Sequence, residues 1–499
     1  MTPMAQGGTA GPSGRGRAGS WDWLGRRAAI HPQRAYWRSD AATFSVGALD
    51  ARVDRVVGLL DDRGVKPGDR VVSFLPPEYQ HLELLFAAIR LGVILVPLNA
   101  GLSAEERAER IQSADPRLVV ARAGMAGLAG RDLLVVPEAA PLDDLLATGT
   151  PRPVPYEPSA DSVQCLMYTS GTSGSAKGVA LTLGQHAWAA LGSERAIGHD
   201  PEDVWLLVLP LFHVGGQAIL LRAILTGARV VALPRFDAAR AAGHLADGSV
   251  TLASLVPTML QRVLDLKAGP FSPRLRAVLV GGGRAEPALL EQAHAAGLPV
   301  RSAYGMTETA SSATTLEAGQ VPEGFHTSGT PLWGVEVQIA DPGPDGVGEI
   351  WVRGPQVVRR YWGESPRAAE EWFATGDLGR LDDQGRLVVV DRRTDLIVSG
   401  GENVYPAEIE QVVARHPGVR AVAVVGVSDA VWGQSPVAVV VPAAGAALTP
   451  DALSAFAQEH LARYKVPRRW ILTASLPLTG SGKVWRAQLR TLVERGELC

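Results

Sequence analysis

Residues 168–179 read YTSGTSGSAKGV. Thr169, Ser170, Thr172 and Ser173 supply hydroxyl groups, Gly171, Gly174 and Gly178 let backbone N–H groups turn toward one point, and Lys177 adds a cation. Hydroxyl donors, converging amides and a positive point charge together suit a polyphosphate. A Walker A loop places Gly before its lysine and Ser or Thr after it. Here the neighbours are Ala176 and Gly178, so that type of loop is excluded. Only five of the 48 Lys and Arg residues are lysine: Lys66, Lys177, Lys267, Lys465 and Lys483. Arginine is the default cation of this chain, so a lysine in a Gly/Ser-rich loop carries information. Lys177 and Lys483 both sit in such loops.

The elements that must hold these residues change character along the chain. From about Phe44 to Val300, short apolar strands alternate with helical patterns. FSVGALDARVDRVVGLLDDRG has helical spacing and ends at Gly64, DRVVSFLP reads as a buried strand, HLELLFAAIRLG as a helix and VILVPLN as a strand. This alternation predicts an α/β fold with parallel-rich sheets covered on both faces. After about Gly334, Gly and Asp turns separate short strands, which predicts an antiparallel, β-barrel-like part. The segment from about Thr394 to Cys499 has the size of a small α+β domain of its own. The expected division is a tail over 1–20, a large domain over 21–393 and a C-terminal lid over 394–499.

YTSGTSGSAKGV resembles the phosphate loop of the adenylate-forming superfamily, which contains acyl-CoA synthetases, luciferase-type enzymes and the adenylation domains of peptide synthetases. Further motifs follow in that superfamily's order: LPLFH (209–213), VGGGR (280–284), YGMTE (304–308), GEIWVRG (348–354), TGD (375–377), DRRTDLIVSGGENVYPAEIE (391–410) and GSGKVWRAQLR (480–490). The set spans roughly Ser45 to the C-terminus.

The resemblance implies a two-step reaction. A carboxylate attacks the α-phosphate of ATP to give an acyl-adenylate and diphosphate, and a thiol then releases AMP. It also implies roles. Thr169 to Gly174 and Lys177 would hold phosphates, with Gly282, Gly283 and Gly305 lining the nucleotide site. Tyr304 would stack on adenine, Thr307 contact the α-phosphate, and Glu308 bind Mg²⁺, for which one carboxylate beside phosphate oxygens suffices. Asp377 would accept both ribose hydroxyls with help from Arg392, and Lys483 would reach the carboxylate and α-phosphate. Thr394 would be the hinge of a lid whose rotation replaces Lys483 by Gly400 and Gly401, lining a channel for the pantetheine arm of coenzyme A. One departure is plain: the residue before Arg392 is commonly Gly in the superfamily, and here it is Asp391.

His213 falls at the superfamily position beside the acyl pocket. Arg222 lies nine residues on, in the apolar run ILLRAIL. A guanidinium there either snorkels to solvent or meets a carboxylate in the pocket. LPLFHVGGQAILLR, LASLVPTML and RRTDLIVSGGENVYPAEIE most resemble the o-succinylbenzoate–CoA ligase family of menaquinone biosynthesis, whose substrate carries two carboxylates. Arg222 is then the candidate anchor for the carboxylate that is not activated. SLVPT (254–258) and GGGR (281–284) would add pocket wall, and Ser302 a polar contact. Other readings stay open: a ligase for another aryl or medium-chain acid, an enzyme loading a carrier protein, a luciferase-like oxygenase, or a non-catalytic nucleotide-binding protein.

A net charge of -3 gives no electrostatic reason to expect nucleic acid or an anionic membrane as partner. No apolar run reaches membrane-spanning length, and the Gly/Ser/Arg-rich N-terminus lacks the apolar stretch of a secretory signal. Two cysteines, Cys165 and Cys499, make neither a disulfide framework nor a metal site, which suits a reducing cytoplasm. Homo-oligomerisation is an open expectation.

Overall fold

The computed structural model describes residues 20–122, 133–136, 149–151, 156–169, 177–266, 269–392, 395–399, 402–429, 432–461, 463–479 and 483–498. Residues 1–19 of the expected tail, Ser170 to Gly174, the hinge position Thr394 and the channel glycines Gly400 and Gly401 lie outside them, as does the side chain of Arg392.

The described strands form four sheets. A nine-stranded sheet runs from Thr330–Pro331 through Ser311–Thr315, Val300–Met306, Ala277–Val280, Leu252–Leu255, Val204–Leu207, Arg229–Ala232 and Ala35–Arg38 to Thr43–Ser45. Its centre is parallel and its two edges are antiparallel. A six-stranded sheet runs Leu133–Val136, Leu118–Arg122, Arg70–Ser73, Ile94–Pro97, Val163–Thr169 and Lys177–Thr182. It is parallel except for its last pair. All four residues of Ile94–Pro97 and of Val204–Leu207 are buried, as strands covered on both faces must be.

Helices pack on these sheets as the patterning predicts. Val46–Asp62 starts at Ser45, whose side chain accepts from Ala48 N, and Gly64 follows it at φ 71°. Val214–Thr226 is apolar on nearly all sides and correspondingly buried. It packs against Leu183–Ile197 and ends on Gly227 in the left-handed region.

The Gly/Asp-rich region forms a four-stranded antiparallel sheet, Glu336–Ala340, Gly348–Arg353, Phe373–Leu381 and Leu387–Arg392, in sequence order. The C-terminal sheet is built on the long ribbon Val419–Asp429 with Gly433–Pro442. It has its own core, with Ile397, Ile409, Val424, Val440 and Leu453 on one side and Val425, Val439 and Leu489 on the other.

Candidate active site

The hydroxyl-rich loop closes a hairpin. Val163–Thr169 and Lys177–Thr182 pair antiparallel, and Thr169 sits opposite Lys177. The ladder therefore fixes both ends of the loop. Lys177 is exposed, with its Nζ 4.9 Å from the centre of the Tyr361 ring. Tyr361 in turn donates its hydroxyl to Glu308 Oε1 at 3.0 Å. Burial, and then the Glu308 charge, push the phenol's pKa up, so it stays a donor. Glu308 is 5% exposed, and its backbone oxygen accepts from Val358 N at 2.7 Å. Tyr361 thus joins the loop cation to the carboxylate expected to bind metal. Nothing in its sequence neighbourhood, RRYWG, signals that task.

Tyr304 and Gly305 end the strand Val300–Met306, and Thr307 and Glu308 lie in the 3₁₀ turn that follows. Gly305 is required by space: a Cβ there would stand 1.8 Å from Ser311 O. Tyr304 donates its hydroxyl to Asp377 Oδ2 at 2.7 Å. Asp377 is 6% exposed and lies opposite Arg392 in the neighbouring strand. Gly376 at φ 74° lets the chain turn into Asp377, whose N–H donates to Thr375 Oγ1 at 3.1 Å. Gly282 and Gly283 face Val256 and Pro257. The two segments read as pocket wall therefore do meet.

Among the described residues no group of three or more His, Cys, Asp or Glu side chains converges as a metal cage. A buried single carboxylate joined to Lys177 through Tyr361 fits Mg²⁺, which retains waters and shares phosphate oxygens.

His213 stands at the N-cap position of Val214–Thr226 without a side-chain cap bond, its ring 4.6 Å from that of Phe212. It keeps exposed surface. Desolvation, and then the Lys483 ammonium, lower its pKa to about 4, so it is neutral at pH 7. Arg222 does not snorkel: it is 4% exposed. Its guanidinium lies 5.1 Å from the centre of the Trp205 ring, and its Nε has no hydrogen-bond partner among the described residues. Burial lowers its pKa to about 10, partly offset by Glu194, and leaves it charged at pH 7. Ser302 is buried and donates its hydroxyl to Thr327 O, so that proton is already committed to the backbone.

Lys483 belongs to the C-terminal unit and is exposed. Its backbone is tied to Thr479 by Thr479 N to Lys483 O at 2.7 Å and Lys483 N to Thr479 Oγ1 at 3.3 Å. Its positive charge is felt at His213, where it adds to the lowering of the imidazole pKa.

Comparison with known proteins gives the class. The AMP-binding enzyme family matches residues 24–362, the AMP-binding enzyme C-terminal domain matches residues 408–483, and the chain belongs to that family. Among known relatives it is similar to the 2-succinylbenzoate–CoA ligase of Geobacillus kaustophilus, 37% identical over 95% of this chain and 98% of the relative. The 2-succinylbenzoate–CoA ligase of Bacillus cereus ATCC 14579 is 36% identical, with the same coverage. Among solved structures, the o-succinylbenzoate CoA synthetase of Bacillus subtilis with its acyl-adenylate intermediate superposes with a TM-score of 0.87 at 33% identity, over 94% of this chain and 98% of that one.

Proposed function

We propose that the protein joins 2-succinylbenzoate to coenzyme A, with ATP cleaved to AMP and diphosphate, in menaquinone biosynthesis. The observation that carries the choice of acid is Arg222, a charged guanidinium buried in an apolar helix, whose Nε has no partner among the described residues. Such a group needs an anion, and a second substrate carboxylate supplies one; a fatty acid does not. The likeness to 2-succinylbenzoate–CoA ligases over nearly the whole chain supports the same acid.

In the first half-reaction the succinyl carboxylate oxygen attacks the α-phosphorus and diphosphate leaves. Asp377 and Tyr304 orient the ribose and adenine, and the 163–182 hairpin with Lys177 holds the phosphates. Lys483 neutralises charge on the attacking carboxylate and the α-phosphate, where it stabilises the transition state more than the ground state. Mg²⁺ held by Glu308 would neutralise charge on the phosphates. Neutral His213 lets the acid approach without offering it a competing cation. In the second half-reaction the CoA thiol gives up its proton, its sulfur attacks the acyl carbon, and AMP leaves with the bond's electron pair. We propose that the lid, about residues 394–499, turns about Thr394 between the halves, withdrawing Lys483 and bringing Gly400 and Gly401 to the thiol's path. The substrates and the free Cys165 suit a cytoplasmic enzyme. Incubation with ATP, Mg²⁺, CoA and a panel of acids, with acyl-CoA read by mass, tests the assignment. Product from 2-succinylbenzoate well above that from benzoate or medium-chain acids supports it; the reverse order overturns it.

A further inference from the structure

Asp391, the residue that departs from the superfamily pattern, has a defined contact. Its Oδ2 accepts a hydrogen bond from Ala407 N at 2.9 Å. Ala407 lies in the first turn of the helix Pro406–Val413, where backbone N–H groups have no partner within the helix. Tyr405, at the N-cap position, makes no side-chain cap bond. Asp391 therefore caps this helix from another strand, and its negative charge suits the positive end of the helix dipole.

Both sides of this contact lead to the active site. Asp391 lies opposite Leu378 in the strand pair that also sets Arg392 opposite Asp377. Arg284 secures that strand by donating from Nη1 to Val390 O at 2.7 Å. On the other side, the capped helix carries Glu410, which accepts from Arg486 Nη2 at 2.7 and 2.6 Å and from Val424 N at 2.7 Å. Arg486 stands three residues after Lys483. The ribose strand is thus joined to the lysine loop through Asp391, the helix, Glu410 and Arg486.

We propose that Asp391 is a positioning residue for the adenylation half-reaction alone. The proposal rests on the lid rotation proposed above. Asp391 precedes Thr394 and Ala407 follows it, so rotation separates them. The bond then holds Lys483 against the nucleotide in one orientation and is absent while the thiol attacks. Its loss weakens the first half-reaction and leaves the second untouched or faster.

The test uses the full-length enzyme with Asp391→Ala and Asp391→Asn. Adenylation is read by ATP–diphosphate exchange with 2-succinylbenzoate, and thioester formation by supplying the acyl-adenylate with CoA. Loss of a charged cap is expected to lower the exchange kcat of Asp391→Ala about 10-fold, with KM for ATP within about twofold. Its thioester rate should match or exceed wild type. Asp391→Asn keeps an acceptor oxygen and should recover most of the exchange. Equal losses in both halves, unchanged exchange, or an Asn variant as impaired as Ala overturns the proposal. A wild-type enzyme that exchanges with no acid overturns the functional reading, and this proposal with it.

Discussion

Tyr304 and Asp377 stand 73 residues apart in sequence and share a 2.7 Å hydrogen bond from the phenol to the carboxylate. One comes from the nine-stranded sheet and the other from the antiparallel one. The bond sets the angle between an aromatic face and a carboxylate, the two groups an adenosine needs. It occupies one acceptor site of Asp377, the carboxylate proposed to hold the ribose diol.

Removing that bond should weaken nucleotide binding and spare the chemistry. Tyr304→Phe keeps the ring and loses about 1 kcal/mol of hydrogen bonding, so KM for ATP should rise about fivefold with kcat nearly unchanged. Steady-state kinetics with ATP varied checks this. A fall in kcat at constant KM would place Tyr304 in the chemical step.

Arg222 should discriminate between acids. Arg222→Ala removes a charge-assisted contact worth about 1.5–3 kcal/mol, so KM for 2-succinylbenzoate should rise 10-fold or more. For a benzoate-like monoacid it should change far less. Parallel changes for both acids would take Arg222 out of the pocket.

The two halves of the fold were legible in the sequence to different degrees. Buried strands such as Ile94–Pro97, and the helix ended by Gly64, follow from local periodicity and turn chemistry. Motif order singled out Asp377 and Tyr304 as candidates, but it could not show that they touch, because the contact joins two sheets. Tyr361 escaped entirely: its task depends on a bridge between Val179 and Tyr361 that sets it against Lys177 and Glu308. The burial of Arg222 was undecided between solvent and pocket until the packing of its helix was known. Ser302 shows what sequence position leaves out. It lies near the adenine motif, yet its proton serves Thr327 O.

Acid should destabilise the fold before carboxylates titrate. Burial holds His81 and His186 to about 4, against 6.5 for a free imidazole. The unfolded chain therefore binds more protons between pH 6.5 and 4. Stability is full above that window and falls through it, by on the order of 3 kcal/mol for each histidine. Neither ring nitrogen of His81 has a hydrogen-bond partner among the described residues, so His81→Leu should cost little at pH 7.5. It should also shrink the Tm drop between pH 7.5 and 5. An unchanged drop would contradict the account.

Lys483 should serve one half-reaction. Lys483→Ala should lower adenylation by at least 100-fold, as for other preorganised charge in a transition state. Thioester formation from supplied acyl-adenylate should proceed at close to the wild-type rate. Rapid-quench assays of the two halves separate these outcomes, and equal loss in both would remove the lid exchange from the mechanism.

The most direct measurement is isotope exchange between labelled diphosphate and ATP in the presence of Mg²⁺ and 2-succinylbenzoate, without CoA. Label should enter ATP only when the acid is present, and a monoacid lacking the second carboxylate should support far less. No incorporation with any acid would contradict the acyl-adenylate, and incorporation favouring simple monoacids would contradict the diacid pocket.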